Sequence, residues 1–245
     1  MSQRLSETHH ECASDRRPDP KPRKHPQLWQ AYLAWYEITE MRKRHLLRAS
    51  TAERGKSNFD AQYEFDIIEQ VNMDALKKIF EKEMAAYGKG VGPIWDWCAE
   101  IRGMGPSLTA QLLAQIDDIG KFDNVSKLWR FAGYAVMEGK AEKNQRGEKS
   151  HYNARLKGVC FNIADQFIRQ QTPGYVDLYY AEKARQRRTY PEKVKKDNGK
   201  YIYTDAHLHN RAWRKMVKQF LADLWLAWRQ ADGLPVTDKY QPTLK

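Results

Sequence analysis

Four groups of residues have types and spacing that suggest chemistry. The first is Ile101-Arg-Gly103-Met104-Gly105-Pro-Ser107-Leu-Thr109-Ala-Gln-Leu112-Leu113, which reads as a helix end, a Gly-apolar-Gly turn and a second helix. Two glycines permit a tight reversal at positive φ. Such a turn leaves bare N–H groups at the start of the second helix, where the helix dipole favours an anion. A nucleic-acid phosphate suits that place and is gripped without regard to base. Met104 is expected to point inward, with Ser107 and Thr109 exposed in the first turn. The second group is His207-Leu-His209, the spelling of a metal-dependent nicking site. That chemistry needs both rings on one face of a strand. Here the pair opens a helix, where residues two apart diverge, so surface histidines are the better reading. The third, Asp117-Asp118, lacks further carboxylates at ligand spacing and reads as a turn or cap. The fourth is the basic run Arg185, Arg187, Arg188, Lys193, Lys195 and Lys196, interleaved with Tyr179, Tyr180 and Tyr190. Cations among aromatic rings suit stacked bases and a phosphate backbone.

The charge supports that direction. The 245 residues carry 42 Lys and Arg against 31 Asp and Glu, a formal charge of +11. Residues 138–218 alone hold 19 basic and 9 acidic residues. One third of the chain thus carries nearly all the surplus, as a nucleic-acid footprint requires and a uniformly solvated surface does not. No run approaches the ~20 apolar residues of a membrane-spanning helix, so no membrane partner is expected. The polar first 17 residues contain no signal-peptide core. Cys12, Cys98 and Cys160 are too scattered for a disulfide framework or zinc cluster, and point to a reducing cytoplasm.

The elements that must position these residues are helical. Pro18, Pro20, Pro22 and Pro26 punctuate a hydrophilic arm, expected to be disordered over residues 1–27. Apolar residues recur at helical spacing from about 28 to 47 and again from about 59 to 87, with Gly55 and Ser57 between. Two long amphipathic helices predict an antiparallel hairpin or coiled coil over 28–90, offered to a second copy or a partner protein. The eight tryptophans mostly sit at helical spacing and read as core or helix-pairing anchors. Beyond Gly88, Gly90 and Gly92, shorter helices are expected at about 94–101, 107–116, 124–132, 151–171, 173–189 and 205–230. Asn198-Gly199 marks a turn with a little strand after it. The fold class is all-α, with residues 91–245 as the second domain.

Within that second domain, Ile101-Arg-Gly-Met-Gly-Pro, Ala110-Gln-Leu-Leu-Ala-Gln-Ile-Asp-Asp-Ile-Gly-Lys-Phe122 and Leu128-Trp-Arg-Phe-Ala-Gly-Tyr134 stand in series. They resemble the helix-hairpin-helix C-terminal domain of DEDD-type insertion-sequence transposases, the IS-one-ten family of bridge-RNA-guided recombinases. Arg146-Gly-Glu-Lys-Ser150 and Asn153-Ala-Arg-Leu-Lys157 are similar to that family's basic loop and the helix after it. Residues 212–235 are similar to its last helix and tail, and residues 28–87 to its coiled-coil segment. The resemblance is strong at 101–135 and loose elsewhere over about 28–240.

Two departures matter. The family's RuvC-like nuclease domain, with four metal-holding acids, finds no counterpart here. Its catalytic serine lies in a loop that corresponds to residues 137–147, which contain no serine; Ser150 matches a different, non-catalytic one. The expectation is therefore a DNA-binding protein without catalytic residues, metal or cofactor, associated with the bacterial nucleoid. Structured RNA is an alternative ligand. Its contacts are expected at Gly103, Met104, Gly105, Ser107 and Thr109, at Lys140, Lys143, Arg146, Lys149, Ser150, Arg155 and Lys157, and at Arg185, Arg187 and Arg188. Two rival expectations are a recombinase subunit working with a separate nuclease chain, and an interaction protein that poisons a full-length transposase.

Overall fold

The computed structural model describes residues 22–137, 140–141, 151–195, 199 and 201–236, with only the backbone described at Met137 and Lys140. The expected arm is described only from Pro22. Its last residues are held: the Arg23 guanidinium lies 3.4 Å over the Trp29 ring, Lys24 pairs with Asp232 at 2.7 Å, and the His25 amide donates to Asp117.

Helix α1 (Pro26–Glu53) opens on a proline at its first position, where the missing N–H costs nothing. It runs antiparallel to the next two helices. Trp35 Nε1 donates to Glu81, Arg42 pairs with Asp74 and His45 meets Glu64 at 2.6 Å. The single helix expected over 59–87 is two, α2 (Ala61–Gln70) and α3 (Met73–Lys89). Asp60 caps α2 by accepting from the amides of Gln62 and Tyr63. The break falls at Asn72, whose φ is 51°; asparagine tolerates that left-handed conformation better than most residues. The bend carries Met73 to 1% exposure in a small satellite core with Ile38 and Ile68. Around it Leu47, Phe59, Tyr63 and Ile79 remain exposed, on the segment where a partner was expected.

The rest follows the expected order: α4 (Pro93–Glu100), α5 (Pro106–Ile116), a short 3-10 turn (Ile119–Lys121), α6 (Val125–Phe131), α7 (Ala154–Arg169), α8 (Tyr175–Thr189) and α9 (Asp205–Ala231). Asn124, Asn153 and Thr204 cap α6, α7 and α9 through their side chains. Two small antiparallel ladders complete the fold. One pairs β1 (Val136–Met137) with β2 (Lys140–Ala141); the other pairs β3 (Val194–Lys195) with β4 (Tyr201–Ile202), Val194 opposite Ile202. The second is the turn-with-strand read at Gly199, which has φ +77°; the first was not expected, although Gly139 lies between its strands in the sequence. The fold is all-α, as its periodicity implied.

The main core is built on α9. Phe220, Leu221, Leu224, Trp225 and Trp228 are each at most 1% exposed, as are Leu112 and Leu113 of α5, Leu128 of α6 and Phe167 of α7. Each such side chain contributes about 1.5–3 kcal/mol of burial. Leu28 and Tyr32 of α1 and Met84 of α3 belong to this same core, which therefore crosses the expected boundary near residue 90. Of the tryptophans, Trp95, Trp213, Trp225 and Trp228 are buried, and Trp29, Trp35, Trp97 and Trp129 pack against the core, as anchors should. Cys98 and Cys160 are buried free thiols, each pushed up to about 12 by burial; Cys12 lies outside the described residues. No helix among the described residues is long and apolar enough to cross a membrane.

Candidate nucleic-acid interface

The α4–α5 turn reverses tightly, with one glycine at positive φ rather than two. Gly103 has φ +93°, and a Cβ there would sit 3.4 Å from the Gln166 carbonyl oxygen of α7. Gly105 has φ −73° and ψ 162°, with nothing within 4 Å of a built Cβ. It is extended backbone heading α5, which the rigid Pro106 after it favours. Met104 points inward and is 5% exposed. No side chain caps α5, and its first inward bond runs from Thr109 N–H to Gly105, so the amides of Ser107 and Leu108 precede the helical ladder. The Ser107 hydroxyl accepts from Gln111 at 3.1 Å. Thr109 departs from expectation: it is 1% exposed. It begins the stripe Thr109-Leu112-Leu113-Ile116, spaced by three, four and seven, so it faces the core.

A second surface is built from cations laid over rings. Arg155, near the start of α7, covers Tyr36 of α1 at 4.2 Å, and Lys157 covers Tyr152 at 4.1 Å. On α9, Arg211 covers Tyr190 at 4.9 Å and Tyr203 at 5.4 Å, Arg214 covers Tyr134 at 5.4 Å, and Lys218 covers Trp129 at 3.9 Å. These pairs connect. The Tyr152 ring packs so closely on Gly133 (φ +75°) that a Cβ there would lie 2.7 Å away. Phe161 of α7 contacts Trp213 at 5.1 Å, and Trp213 contacts Tyr134 at 6.1 Å.

Arg211, Arg214, Lys215 and Lys218 share one face of α9 and line a groove of about 380 Å³ against Trp129 and Tyr134. The Arg214 guanidinium donates to the carbonyls of Tyr134 and Ala135 at 3.3 and 3.5 Å, which holds it in place without neutralising it. Burial lowers the Lys218 pKa, aided by nearby Arg214. The Tyr134 hydroxyl is buried without a hydrogen-bond partner among the described residues, and burial pushes its pKa up.

One carboxylate tempers this field. Glu182 of α8, 4% exposed, accepts from Arg185 at 2.9 Å, from Gln186 at 2.6 Å and from Lys215 at 2.9 Å. The Arg185 hydrogen bond leads in drawing its pKa down to about 2, against the opposing effect of burial. Of the expected run on α8, Arg185 is thus tied to Glu182 and Arg187 to Asp205 at 3.2 Å, while Arg188 is exposed. An ion pair as exposed as Arg187–Asp205 is weak and exchangeable.

The expected contacts do not converge on one point. Arg155 lies eleven residues before Gln166, the neighbour of Gly103, so roughly 16 Å of helical rise separates them. Lys143, Arg146, Lys149 and Ser150 lie outside the described residues, and Lys140 is placed only by its backbone in β2. The four cations of α9 were not among the expected contacts, although their i, i+3, i+4, i+7 spacing was legible in the sequence.

The other candidate chemistry dissolves. His207 Nδ1 meets Thr204 Oγ1 and His209 Nδ1 meets the Tyr179 hydroxyl, so the two rings turn apart. Asp118 caps the 3-10 turn through the Gly120 amide. Asp117, read as a solvated turn or cap, does cap α5 but is 2% exposed and accepts from Lys121. No three-residue group of metal-ligating side chains occurs among the described residues.

Comparison with known proteins places part of this architecture. Residues 98–181 match the model of the Transposase IS116/IS110/IS902 family. The match runs from the end of α4 into the first half of α8, so the chain carries a transposase-like domain there. No curated protein and no solved structure matches the chain.

Proposed function

We propose that the protein binds DNA by its phosphate backbone along the surface from Arg155 to Lys218, and that its own residues neither cut nor join strands. What carries the reading is the set of cations held over rings beside a groove lined with Trp129 and Tyr134. Guanidinium and ammonium groups so held lose little side-chain freedom when a phosphate arrives. The transposase-like match agrees in class. The amides of Ser107 and Leu108 at the head of α5 supply a further phosphate contact in this reading, and Arg187 and Arg188 extend the field. The absence of a serine from residues 137–147, where the resembled transposases carry their catalytic one, supports the non-cutting half.

The test sets duplex DNA, single strands and structured RNA against the purified chain at rising salt, then incubates a supercoiled plasmid with it and Mg²⁺ or Mn²⁺. Duplex binding that weakens steeply with salt, together with an intact plasmid, is expected. Stronger binding of structured RNA than of duplex would reassign the ligand. Reproducible nicking would overturn the non-catalytic part.

A further inference from the structure

A second cleft, of about 390 Å³, opens between α1 and α7. Its walls are aromatic, with Trp35 and Tyr36 on α1 and Phe161 on α7, the last 57% exposed. Its lining includes Gly158, an exposed residue early in α7, where nothing lies within 4 Å of a built Cβ. A glycine inside a helix weakens it relative to alanine. Here neither close packing nor a positive φ requires one, and what its missing side chain leaves is open space. Thr39 Oγ1, at the edge of the cleft, is buried and has no hydrogen-bond partner among the described residues. Arg155 stands at the mouth, 4.2 Å over the Tyr36 ring; Lys43 is also there, paired with Glu40 at 2.7 Å. Through Phe161 and Trp213 the cleft adjoins Tyr134 of the α9 groove.

We propose that this cleft receives one unstacked nucleobase of the bound nucleic acid, resting between the rings while Arg155 meets the adjoining phosphate. The proposal rests on the nucleic-acid reading above. Its volume falls within the roughly 300–1,000 Å³ of small-molecule sites, and ring faces accept any base. The larger cavity near Arg102, about 610 Å³, presents Glu100 and Asp223 and would oppose a phosphate.

The test compares three duplexes at low salt: fully matched, with one bulged nucleotide, and with an abasic bulge at the same place. A bulged base has already left its stack, so the cost of extracting it is small. The wild-type chain should bind the bulged duplex about tenfold more tightly than the matched one, with no such gain for the abasic bulge. Gly158→Phe and Gly158→Leu should fill the cleft, leave the melting temperature unchanged or raised, and abolish the preference, while the matched duplex binds as before. Gly158→Ala should keep the preference. An abasic bulge bound as tightly as the base-bearing one, or a preference that survives Gly158→Phe in the folded protein, overturns the inference while the nucleic-acid reading stands. If none of the three duplexes is bound, both fall.

Discussion

Glu182 shows how one carboxylate sets both stability and the field of the groove. Its pKa is drawn down to about 2 by Arg185 and its other partners, below the ordinary carboxylate range. A group whose pKa falls on folding lends stability that is present above its unfolded pKa and is lost as pH falls through the folded value. Glu182→Gln should therefore flatten the acid side of the melting-temperature profile, from about pH 4.5 towards about 2, and lower stability at neutral pH. It also frees Arg185 and Lys215, so duplex affinity should rise while stability falls. A variant that loses stability and affinity together would mean that Glu182 orders the groove rather than restraining it. Position by position, the sequence was a partial guide. Met104 inward and the divergence of His207 and His209 followed from spacing alone. Thr109 did not, because the stripe it begins becomes visible only once the helix start at Pro106 fixes which face is inward. Glu182 and its partners were equally hidden, since Lys215 joins it from a different helix.

Among the elements, the break between α2 and α3 is the clearest departure from periodicity. The apolar spacing from Phe59 to Tyr87 continues through it, and neither glycine nor proline marks it. What decides is long-range: burying Met73 against Ile38 and Ile68 outweighs one left-handed residue. Asn72 at φ 51° carries that conformation, which costs a residue with an ordinary Cβ about 1–2 kcal/mol. Asn72→Ala should lower stability by about 1 kcal/mol and Asn72→Gly should be neutral or slightly stabilising, as read by urea denaturation. Equal losses in both would assign the asparagine a side-chain role instead. The later helices were legible because the sequence writes their ends: Asn153 and Thr204 cap α7 and α9, and the Gly103 turn separates α4 from α5. The β1–β2 ladder, as short as β3–β4, was not anticipated from the sequence, although Gly139 lies between its strands.

Taken whole, the molecule puts an asymmetric charge on a core that joins its two halves. The +11 formal charge and its concentration in residues 138–218 indicated a polyanionic partner. They did not indicate that α9, packed on α8 and α6, would supply the four cations of the groove. Nor did they show that α1 contributes both core residues, Leu28 and Tyr32, and Tyr36, the ring under Arg155. The central claim is that phosphates are bound along this surface, and the salt dependence of duplex DNA affinity tests it most directly. Each released counterion contributes a slope of roughly −0.9 in log affinity against log salt. The wild-type chain should show a slope of several units. Arg214→Ala and Lys218→Ala should each reduce it by about one unit and weaken matched duplexes of different sequence alike. Binding that is absent at low salt, that is indifferent to salt, or whose slope is untouched when both cations are removed from the folded protein would contradict the account.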